Sequence, residues 1–264
     1  MSVSELAVVS KKAKIGPGCE IGPFAIIEDE VELGPKVKIG ASAHILNGTT
    51  IGEGTVVHMG AVIGNTPQDL AFENKPTFVR IGKRNTIREY VTIHRGTKEG
   101  STTTIGDDCY LMAVSHVGHN CELGNKVIVA NGALLAGYVT VGDMAFISGN
   151  VVIHQFCRIG KLAMIGGFSG INKDVPPFTL VRGPSVVRTL NIVGLRRAKV
   201  PRDVFANLKE AFRLLYLADL STPNAIIEIE KLPRSSELDE LIQFIESSKR
   251  GICKSKETDE EYFG

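Results

Sequence analysis

The chain has 264 residues, enough for one large domain or for a domain with an appendage, and its apolar share of 43% supplies a core and excludes disorder. Its 30 lysines and arginines against 29 acidic residues leave a formal net charge of +1, which excludes a general attraction to nucleic acid or to anionic membranes. The N-terminal residues have no signal-peptide core, and no 18-residue apolar run is free of Asn, Gly or charge. We therefore expect a cytoplasmic protein without a transmembrane segment.

An aliphatic residue recurs at every sixth position in three uninterrupted series, and a mostly small residue follows each one by four places. The series are Val3–Ile63, Ile81–Ile93 and Ile105–Ile171. A repeat of six fits short strands joined by tight turns, and three such strands close a triangular coil of 18 residues. Hexads of this kind are typical of the left-handed parallel β-helix. We therefore predict an all-β, three-sided prism over residues 1–186.

Two interruptions separate the three series, around Asp69–Asn74 and around Glu99–Thr104. We interpret both as loops that leave the prism, rather than as coils with degenerate repeats. Functional residues concentrate on loops that a rigid scaffold positions, so both segments are candidates for a site.

The hexads stop at Asp174, and the sequence after residue 190 has the apolar spacing of helices. Pro201 opens one amphipathic segment, and Thr222 and Ser236 are read as caps of two more. We predict a C-terminal α-helical domain over residues 187–264. Residues 187–213 hold seven basic and two acidic residues, which indicates either a solvated face or a dock for an anionic partner.

Residues 18 apart in an uninterrupted series stack on one another, so His119, Gly137 and Gln155 form one column. A neutral imidazole can accept a proton from a nucleophile, and a backbone N–H beside a glycine can approach a carbonyl oxygen. His116 and His154 lie close to this column in sequence. The column predicts an acid–base site, although an isolated surface histidine is more often without function.

Six segments carry a resemblance to a known family. They are Asn65–Phe72 (NTPQDLAF), Ile87–Thr97 (IREYVTIHRGT), Ser115–Cys121 (SHVGHNC), His154–Cys157 (HQFC), Gly166–Pro177 (GGFSGINKDVPP) and Asn191–Arg197 (NIVGLRR). In this order they resemble the UDP-N-acetylglucosamine 3-O-acyltransferases, which begin lipid A synthesis in Gram-negative bacteria. The resemblance covers nearly the whole chain, including the helical tail.

The resemblance implies roles for particular residues. It implies that His119 is the general base and that the Gly137 N–H is the oxyanion donor, with no serine or cysteine nucleophile, no metal and no cofactor. The implied substrate-binding residues are Gln68, Asp69 and His116 for the sugar, and His154, Gln155, Asn191 and Arg197 for the nucleotide and its diphosphate.

The resemblance also implies the partners. The acceptor is UDP-N-acetylglucosamine, and the donor is a 3-hydroxyacyl chain carried on acyl carrier protein. The family is a homotrimer with active sites between neighbouring prisms. A small acidic carrier suits the basic segment 187–213.

Four residues depart from the family pattern. Asn120 stands in place of an aspartate beside the base, Ala71 in place of a lysine, Tyr138 in place of a histidine and Val193 in place of a glutamate. An amine needs less help from a base than an alcohol does. The first two changes therefore favour tolerance of a 3-amino-3-deoxy analogue of the sugar nucleotide, which would make the reaction an N-acylation.

Three other interpretations have less support. A zinc hydratase of the γ-carbonic-anhydrase type shares the prism and needs three convergent histidines, but it leaves the PQDL loop and the helical tail unexplained. A structural scaffold needs no clustered loop motifs. The N-acyltransferase of a later step in the same pathway carries an extra domain before its prism, whereas the hexads here begin at Val3.

Overall fold

A computed structural model describes residues 2–255 of the chain, which form a three-sided parallel β-helix followed by four helices. The first sheet contains β1 (Ser2–Val3), β4 (Glu20–Ile21), β7 (Lys38–Ile39), β10 (Val56–Val57), β13 (Thr86–Ile87), β16 (Tyr110–Leu111), β19 (Ile128–Val129), β22 (Phe146–Ile147), β25 (Met164–Ile165), β27 (Thr179–Arg182) and β28 (Val186–Leu190). The second contains β2 (Val8–Val9), β5 (Ile26–Ile27), β8 (His44–Ile45), β11 (Val62–Asn65), β14 (Thr92–His94), β17 (His116–Val117), β20 (Leu134–Leu135), β23 (Val152–Ile153) and β26 (Gly170–Ile171). The third contains β3 (Lys14–Ile15), β6 (Glu32–Leu33), β9 (Thr49–Ile51), β12 (Phe78–Ile81), β15 (Thr102–Ile105), β18 (Glu122–Leu123), β21 (Thr140–Val141) and β24 (Arg158–Ile159).

The six-residue repeat of the sequence corresponds to one strand and the turn that follows it, and the predicted left-handed β-helix is confirmed. Up to β26, consecutive strands lie on different faces. In the coils that carry no loop among these strands, parallel partners are 18 residues apart, as where Val117 pairs with Leu135. From Ile21 to Ile171 the aliphatic residues of the repeat are at most 4% exposed. Each such burial contributes roughly 1.5–3 kcal/mol, so the column of aliphatic side chains is the core of the prism.

The first coil departs from this pattern. Val3 is 39% exposed, and Val9 and Ile15 are only half-buried. No coil precedes them among the described residues, so their side chains are covered from one side only.

Both interruptions are loops, and both leave the same corner of the prism. The first loop, residues 66–77, joins β11 of the second sheet to β12 of the third, and the second loop, residues 95–101, joins β14 to β15. The predicted end of the second loop at Thr104 is wrong, because Thr102–Thr104 pair with Phe78–Arg80 and extend β15. Two loops therefore border one corner between the second and third sheets.

An antiparallel hairpin of β27 and β28 leads out of the prism into the helices. The helices are α1 (Ile192–Arg197), α2 (Arg202–Tyr216), α3 (Thr222–Ile229) and α4 (Ser236–Glu246). The predicted caps of α3 and α4 are wrong by one residue. The side chains that accept the first-turn N–H groups belong to Ser221 and Ser235, each directly before the predicted residue. The division that we propose between residues 186 and 187 falls within β28, and residues 256–264 lie outside the described residues.

A buried carboxylate ties the segment after α4 to the prism. Asp174, 1% exposed, accepts hydrogen bonds from the Arg158 N–H at 2.9 Å and from the Ser248 hydroxyl at 2.8 Å. The Arg158 guanidinium lies over the Phe244 ring at 4.2 Å. Within residues 2–255, no helix has the length and apolar character needed to span a membrane.

Candidate active site

The candidate site lies at the corner between the second and third sheets, where β17 ends. His119 is the second residue after the aliphatic Val117, and it is 5% exposed. The column predicted from the 18-residue repeat places Gly137 one coil away from it, and the structure brings the two residues into contact. A Cβ added to Gly137 would collide with Cε1 and Nε2 of the His119 ring. Glycine is therefore required for the imidazole to occupy this place.

The Gly137 N–H takes no part in the ladder of the prism. The neighbouring N–H groups of Ala136 and Tyr138 donate to Ile153 and His119, whereas no hydrogen bond of the Gly137 N–H occurs within residues 2–255. Prolines, which have no N–H, occupy the same place in the hexad at the other corners of the prism, at Pro17, Pro23 and Pro35. This corner position therefore leaves one backbone donor available beside His119.

Asn120 and Tyr138, two of the departures from the family pattern, both contact His119. Asn120 Oδ1 lies 3.1 Å from His119 Nδ1. The Tyr138 ring meets the imidazole edge-on, with centroids 5.3 Å apart. Both residues have the left-handed backbone of the corner, with φ of 58° and 61°.

The loop 66–77 brings a carboxylate to the other side of the imidazole. Asp69 Oδ2 lies 3.9 Å from His119 Nε2. The loop orients this carboxylate, since Asp69 Oδ1 accepts a hydrogen bond from the Ala71 N–H at 2.9 Å. Gln68 directly precedes it and is exposed. The periodicity could not predict this approach, because the loop lies outside the repeat.

Arg95 connects the two loops. Its guanidinium lies over the Phe72 ring at 5.5 Å and donates to Asn74 Oδ1 at 3.2 Å. Its backbone N–H donates to the Asn65 carbonyl oxygen at 3.1 Å. The segment after β14 therefore holds the loop that carries Asp69.

His94 completes a cluster of three histidines, and sequence reasoning missed it. Its ring packs edge-on against His116 with centroids 4.8 Å apart, and His116 Nδ1 lies 2.7 Å from Thr92 Oγ1. His94 is 5% exposed, and its Nδ1 has no hydrogen-bond partner within residues 2–255. The available signal was its place in the hexad, directly after an aliphatic residue, where glycine is the usual residue.

The surroundings of His94 and His116 favour their neutral forms. Burial, followed by the positive charges that His116 and His119 would carry, lowers the pKa of His94 to about 4. Burial and the neighbouring His119 also lower the pKa of His116 below its usual range. Within residues 2–255, no three His, Cys, Asp or Glu side chains are arranged to hold a metal ion.

The four other predicted ligands lie away from this cluster. Gln155 occupies the same corner one coil beyond Gly137 and is exposed, and the adjacent His154 places Nδ1 3.1 Å from the Gln155 carbonyl oxygen. Arg197 is exposed at the end of α1. Asn191 is buried, and it caps α1 by accepting the Gly194 N–H at 2.9 Å. In the structure, no hydrogen bond or ion pair links any of the four to His119 within residues 2–255.

Comparisons with known proteins agree with this architecture. A family model described as UDP-N-acetylglucosamine O-acyltransferase, domain 2, matches residues 174–253, and the bacterial transferase hexapeptide model matches residues 12–46, 30–65 and 102–137. A relative from Halorhodospira halophila, named acyl-(acyl-carrier-protein)--UDP-N-acetylglucosamine O-acyltransferase, is 46% identical over 94% of this chain and 97% of its own length. A relative of the same name from Thermodesulfovibrio yellowstonii is 45% identical over 96% of this chain and 99% of its own.

Solved structures extend the comparison to three dimensions. The UDP-N-acetylglucosamine acyltransferase of Bacteroides fragilis matches with a TM-score of 0.92 and 41% identity, over 95% of this chain and 99% of that one. The enzyme of the same name from Campylobacter jejuni matches with a TM-score of 0.91 and 35% identity, over 97% of this chain and 100% of that one. The chain therefore belongs to the family of acyl-(acyl-carrier-protein)--UDP-N-acetylglucosamine O-acyltransferases.

Proposed function

We propose that the chain transfers a 3-hydroxyacyl group from acyl carrier protein to the hydroxyl at position 3 of UDP-N-acetylglucosamine, the first step of lipid A biosynthesis. The observation that carries the proposal is the contact between the buried His119 imidazole and Gly137, whose N–H is left out of the ladder. Membership of the family supports the reaction type and both substrates. The same membership argues against a zinc hydratase and against a scaffold.

The reaction is a direct acyl transfer. His119 Nε2 removes the proton of the 3-hydroxyl while the hydroxyl oxygen attacks the thioester carbonyl carbon. The Gly137 N–H donates to the oxyanion of the tetrahedral intermediate. The carbon–sulfur bond then breaks, and the leaving thiolate takes the proton back from His119. The free carrier thiol and the sugar ester are the products.

The loop 66–77 supplies the sugar contacts. Gln68 and Asp69 bind sugar hydroxyls, and His116 borders the same pocket. The Asp69 carboxylate, 3.9 Å from His119 Nε2, also attracts the positive charge that the imidazole carries after proton transfer. The nucleotide and diphosphate are bound by His154, Gln155 and Arg197. Asn191 contributes to this binding indirectly, through the position of α1, because its side chain caps that helix.

The outer faces of the prism support a homotrimer. In the last coils, the second sheet exposes Leu134 and Val152, at 44% and 49%, while the first carries Phe146 and Met164. The third sheet is polar in the same coils, with Glu122, Thr140 and Arg158 outward. Two apolar faces and one polar face suit a subunit that two neighbours contact.

The carrier docks on the basic segment 187–213, and the reaction takes place in the cytoplasm. Arg196, Arg197 and Lys199 are exposed at the end of α1 and just after it. Three neighbouring cations attract an acidic protein at long range. The cytoplasm is the compartment that we expect from the sequence.

Product analysis tests the proposal. The purified chain is incubated with UDP-N-acetylglucosamine and a ladder of 3-hydroxyacyl carrier proteins, and mass spectrometry locates the acyl group. We expect an ester at position 3 with wild type and at least about 10²-fold slower formation with His119→Ala, the usual range for loss of a general base. Absence of product with every acyl length would overturn the proposal.

Acylation of the 3-amino-3-deoxy analogue is the second candidate. The observation in its favour is that a neutral amide, Asn120, and not a carboxylate, contacts His119 Nδ1. Ala71 also leaves the sugar loop without a cation that would repel an ammonium group. A competition between the two sugar nucleotides at equal concentration decides between them: preference for the hydroxyl sugar removes this candidate, and preference for the amine makes the enzyme an N-acyltransferase.

A further inference from the structure

We propose that Thr97 and Tyr138 are positioning residues that act through Asn120 to hold His119 in the tautomer that a base requires. The inference rests on the proposed function, because it assigns these residues a task in the proton transfer by His119. Thr97 belongs to the loop 95–101 and Tyr138 to the corner one coil beyond His119.

Two donors of Thr97, its backbone N–H and its hydroxyl, together hold the orientation of the Asn120 amide. The Thr97 N–H, which can only donate, lies 3.0 Å from Asn120 Oδ1, so the atom that faces it must be the amide oxygen. The Thr97 hydroxyl donates to the same oxygen at 2.9 Å. The amide is therefore not free to present its NH₂ group in this direction.

The tautomer of His119 follows from that orientation. His119 Nδ1 lies 3.1 Å from the same Asn120 Oδ1, which can only accept. Nδ1 must therefore carry the proton in the neutral imidazole, and Nε2 keeps the lone pair. Nε2 is the atom that faces Asp69 and the Gly137 side of the site.

Tyr138 completes the chain of donors. Its hydroxyl lies 2.9 Å from Thr97 Oγ1. Because the Thr97 hydroxyl uses its one proton toward Asn120, it accepts from Tyr138. Every hydrogen bond then has one direction, from Tyr138 to Thr97 to Asn120, with His119 donating to the same amide oxygen.

Packing holds the Tyr138 ring where its hydroxyl can reach the loop. The ring stacks on Phe156 with centroids 4.9 Å apart and an interplanar angle of 16°, and it meets His119 edge-on. The contact with Thr97 spans 41 positions of the sequence and joins the loop 95–101 to the prism. An uncharged network thus sets the tautomer at this site.

The test uses Tyr138→Phe and Thr97→Val in the full chain, with Tyr110→Phe as the matched control. Tyr110 also hydrogen-bonds through its hydroxyl, to Arg88 at 2.9 Å, but on the first sheet. Two measurements are made: steady-state kcat and KM, and the ¹⁵N chemical shifts of the imidazole nitrogens in the free protein labelled at histidine. The shifts report the tautomer without any turnover.

We expect each of the two variants to lower kcat by about fivefold, the equivalent of one net hydrogen bond, with both KM values within twofold of wild type. The double variant should lose no more than the larger single loss, because the residues act in series. The ¹⁵N shifts should change from the Nδ1–H form to a mixture of tautomers. Thr97→Ser should restore both readouts, and Tyr110→Phe should leave both unchanged.

Either of two results would overturn the inference. Unchanged ¹⁵N shifts in Tyr138→Phe and Thr97→Val would do so, as would a rise in KM at constant kcat, which would mean that the residues contact substrate. Should Thr97→Val fail to fold, Tyr138→Phe alone still decides through its shifts. Failure of the proposed function is separate, because it would appear as missing acyl product with the wild-type protein while the tautomer remained as described.

Discussion

Replacing Gly137 by alanine should disable the site while leaving the fold intact. The backbone at Gly137 lies outside the left-handed region, so an alanine is not strained there. The obstacle is the His119 ring. An added Cβ would overlap Cε1 and Nε2 and would lie 2.9 Å from Nδ1, whereas ordinary contacts of a Cβ begin at 3.4 Å.

The size of the effect follows from the displacement. To restore ordinary contact with the added Cβ, Nδ1 must move away by about 0.5 Å, and the two nearer ring atoms, Cε1 and Nε2, must move further. Misplacement of a reacting group by about 1 Å costs on the order of 10²-fold in rate. We therefore expect kcat/KM of Gly137→Ala to fall by about 10²-fold, although the N–H at residue 137 remains.

The assay compares kcat/KM and the thermal unfolding midpoint of Gly137→Ala with those of Gly149→Ala. Gly149 holds the same position in its hexad, and a Cβ there meets only the Asn131 carbonyl oxygen at 3.3 Å. The control should stay near wild type in both measurements. Adding Gly137→Ala to His119→Ala should cost little further activity, because the displaced ring is already absent. A Gly137→Ala enzyme with more than half of wild-type kcat/KM would refute the reasoning.

Three further predictions follow from the site and the surfaces. His94→Gln should make the free energy of unfolding less sensitive to acid. The pKa of His94 is about 4 in the folded protein and about 6.5 in the unfolded chain, so the unfolded chain binds the proton first. The free energy of unfolding of the wild type therefore falls by up to about 3 kcal/mol between pH 6.5 and pH 4. Urea unfolding at pH 7.5 and 4.5 checks this, and equal pH dependence in both proteins would contradict it. Arg197→Ala should raise the KM for the carrier or for the sugar nucleotide by about two- to tenfold, and should weaken the dependence of that KM on salt between 50 and 300 mM NaCl. Two unchanged KM values would mark the segment as a solvated face. Leu134→Glu with Val152→Glu should shift the sedimentation coefficient from trimer to monomer and abolish activity, and an active monomer of the wild type at micromolar concentration would refute the trimer.

The prism and the column of His119 and Gly137 could be predicted from the sequence because both follow from the length of one coil, 18 residues. Stacking is a local consequence of the repeat, so residues 18 apart in an uninterrupted series must be neighbours. The structure follows this rule at Val117 and Leu135.

The rule fails where a loop lengthens a coil. Thr92 pairs with His116, which lies 24 positions further on, because the loop 95–101 adds residues to that coil. His94 therefore joins the histidine cluster without any 18-residue relation to it. The approach of Asp69 was equally out of reach, since it depends on how Arg95 holds a loop that has no repeat.

The tail shows a different difficulty. A motif identified the segment of Asn191, but a motif does not say which atoms face outward. In the structure, Asn191 uses its oxygen to cap α1 and its NH₂ group to donate to the Leu162 carbonyl oxygen at 2.8 Å. A buried asparagine with both ends satisfied supports the position of the helix, and the exposed cations that follow it are the residues that we propose for an anionic ligand.

A single carboxylate beside a histidine could both orient the imidazole and supply negative charge. In this protein, two different residues on opposite sides of the His119 ring are placed for these two tasks. Orientation comes from the neutral Asn120, 3.1 Å from Nδ1, and negative charge comes from Asp69, 3.9 Å from Nε2. Because Asp69 sits on the loop 66–77, the charge beside the base depends on how Arg95 holds that loop through Phe72. In the proposed mechanism, Asn120 and the loop 95–101 orient the base, and the loop 66–77 supplies the negative charge beside it. We therefore expect changes in the loop 66–77 to alter catalysis as well as binding.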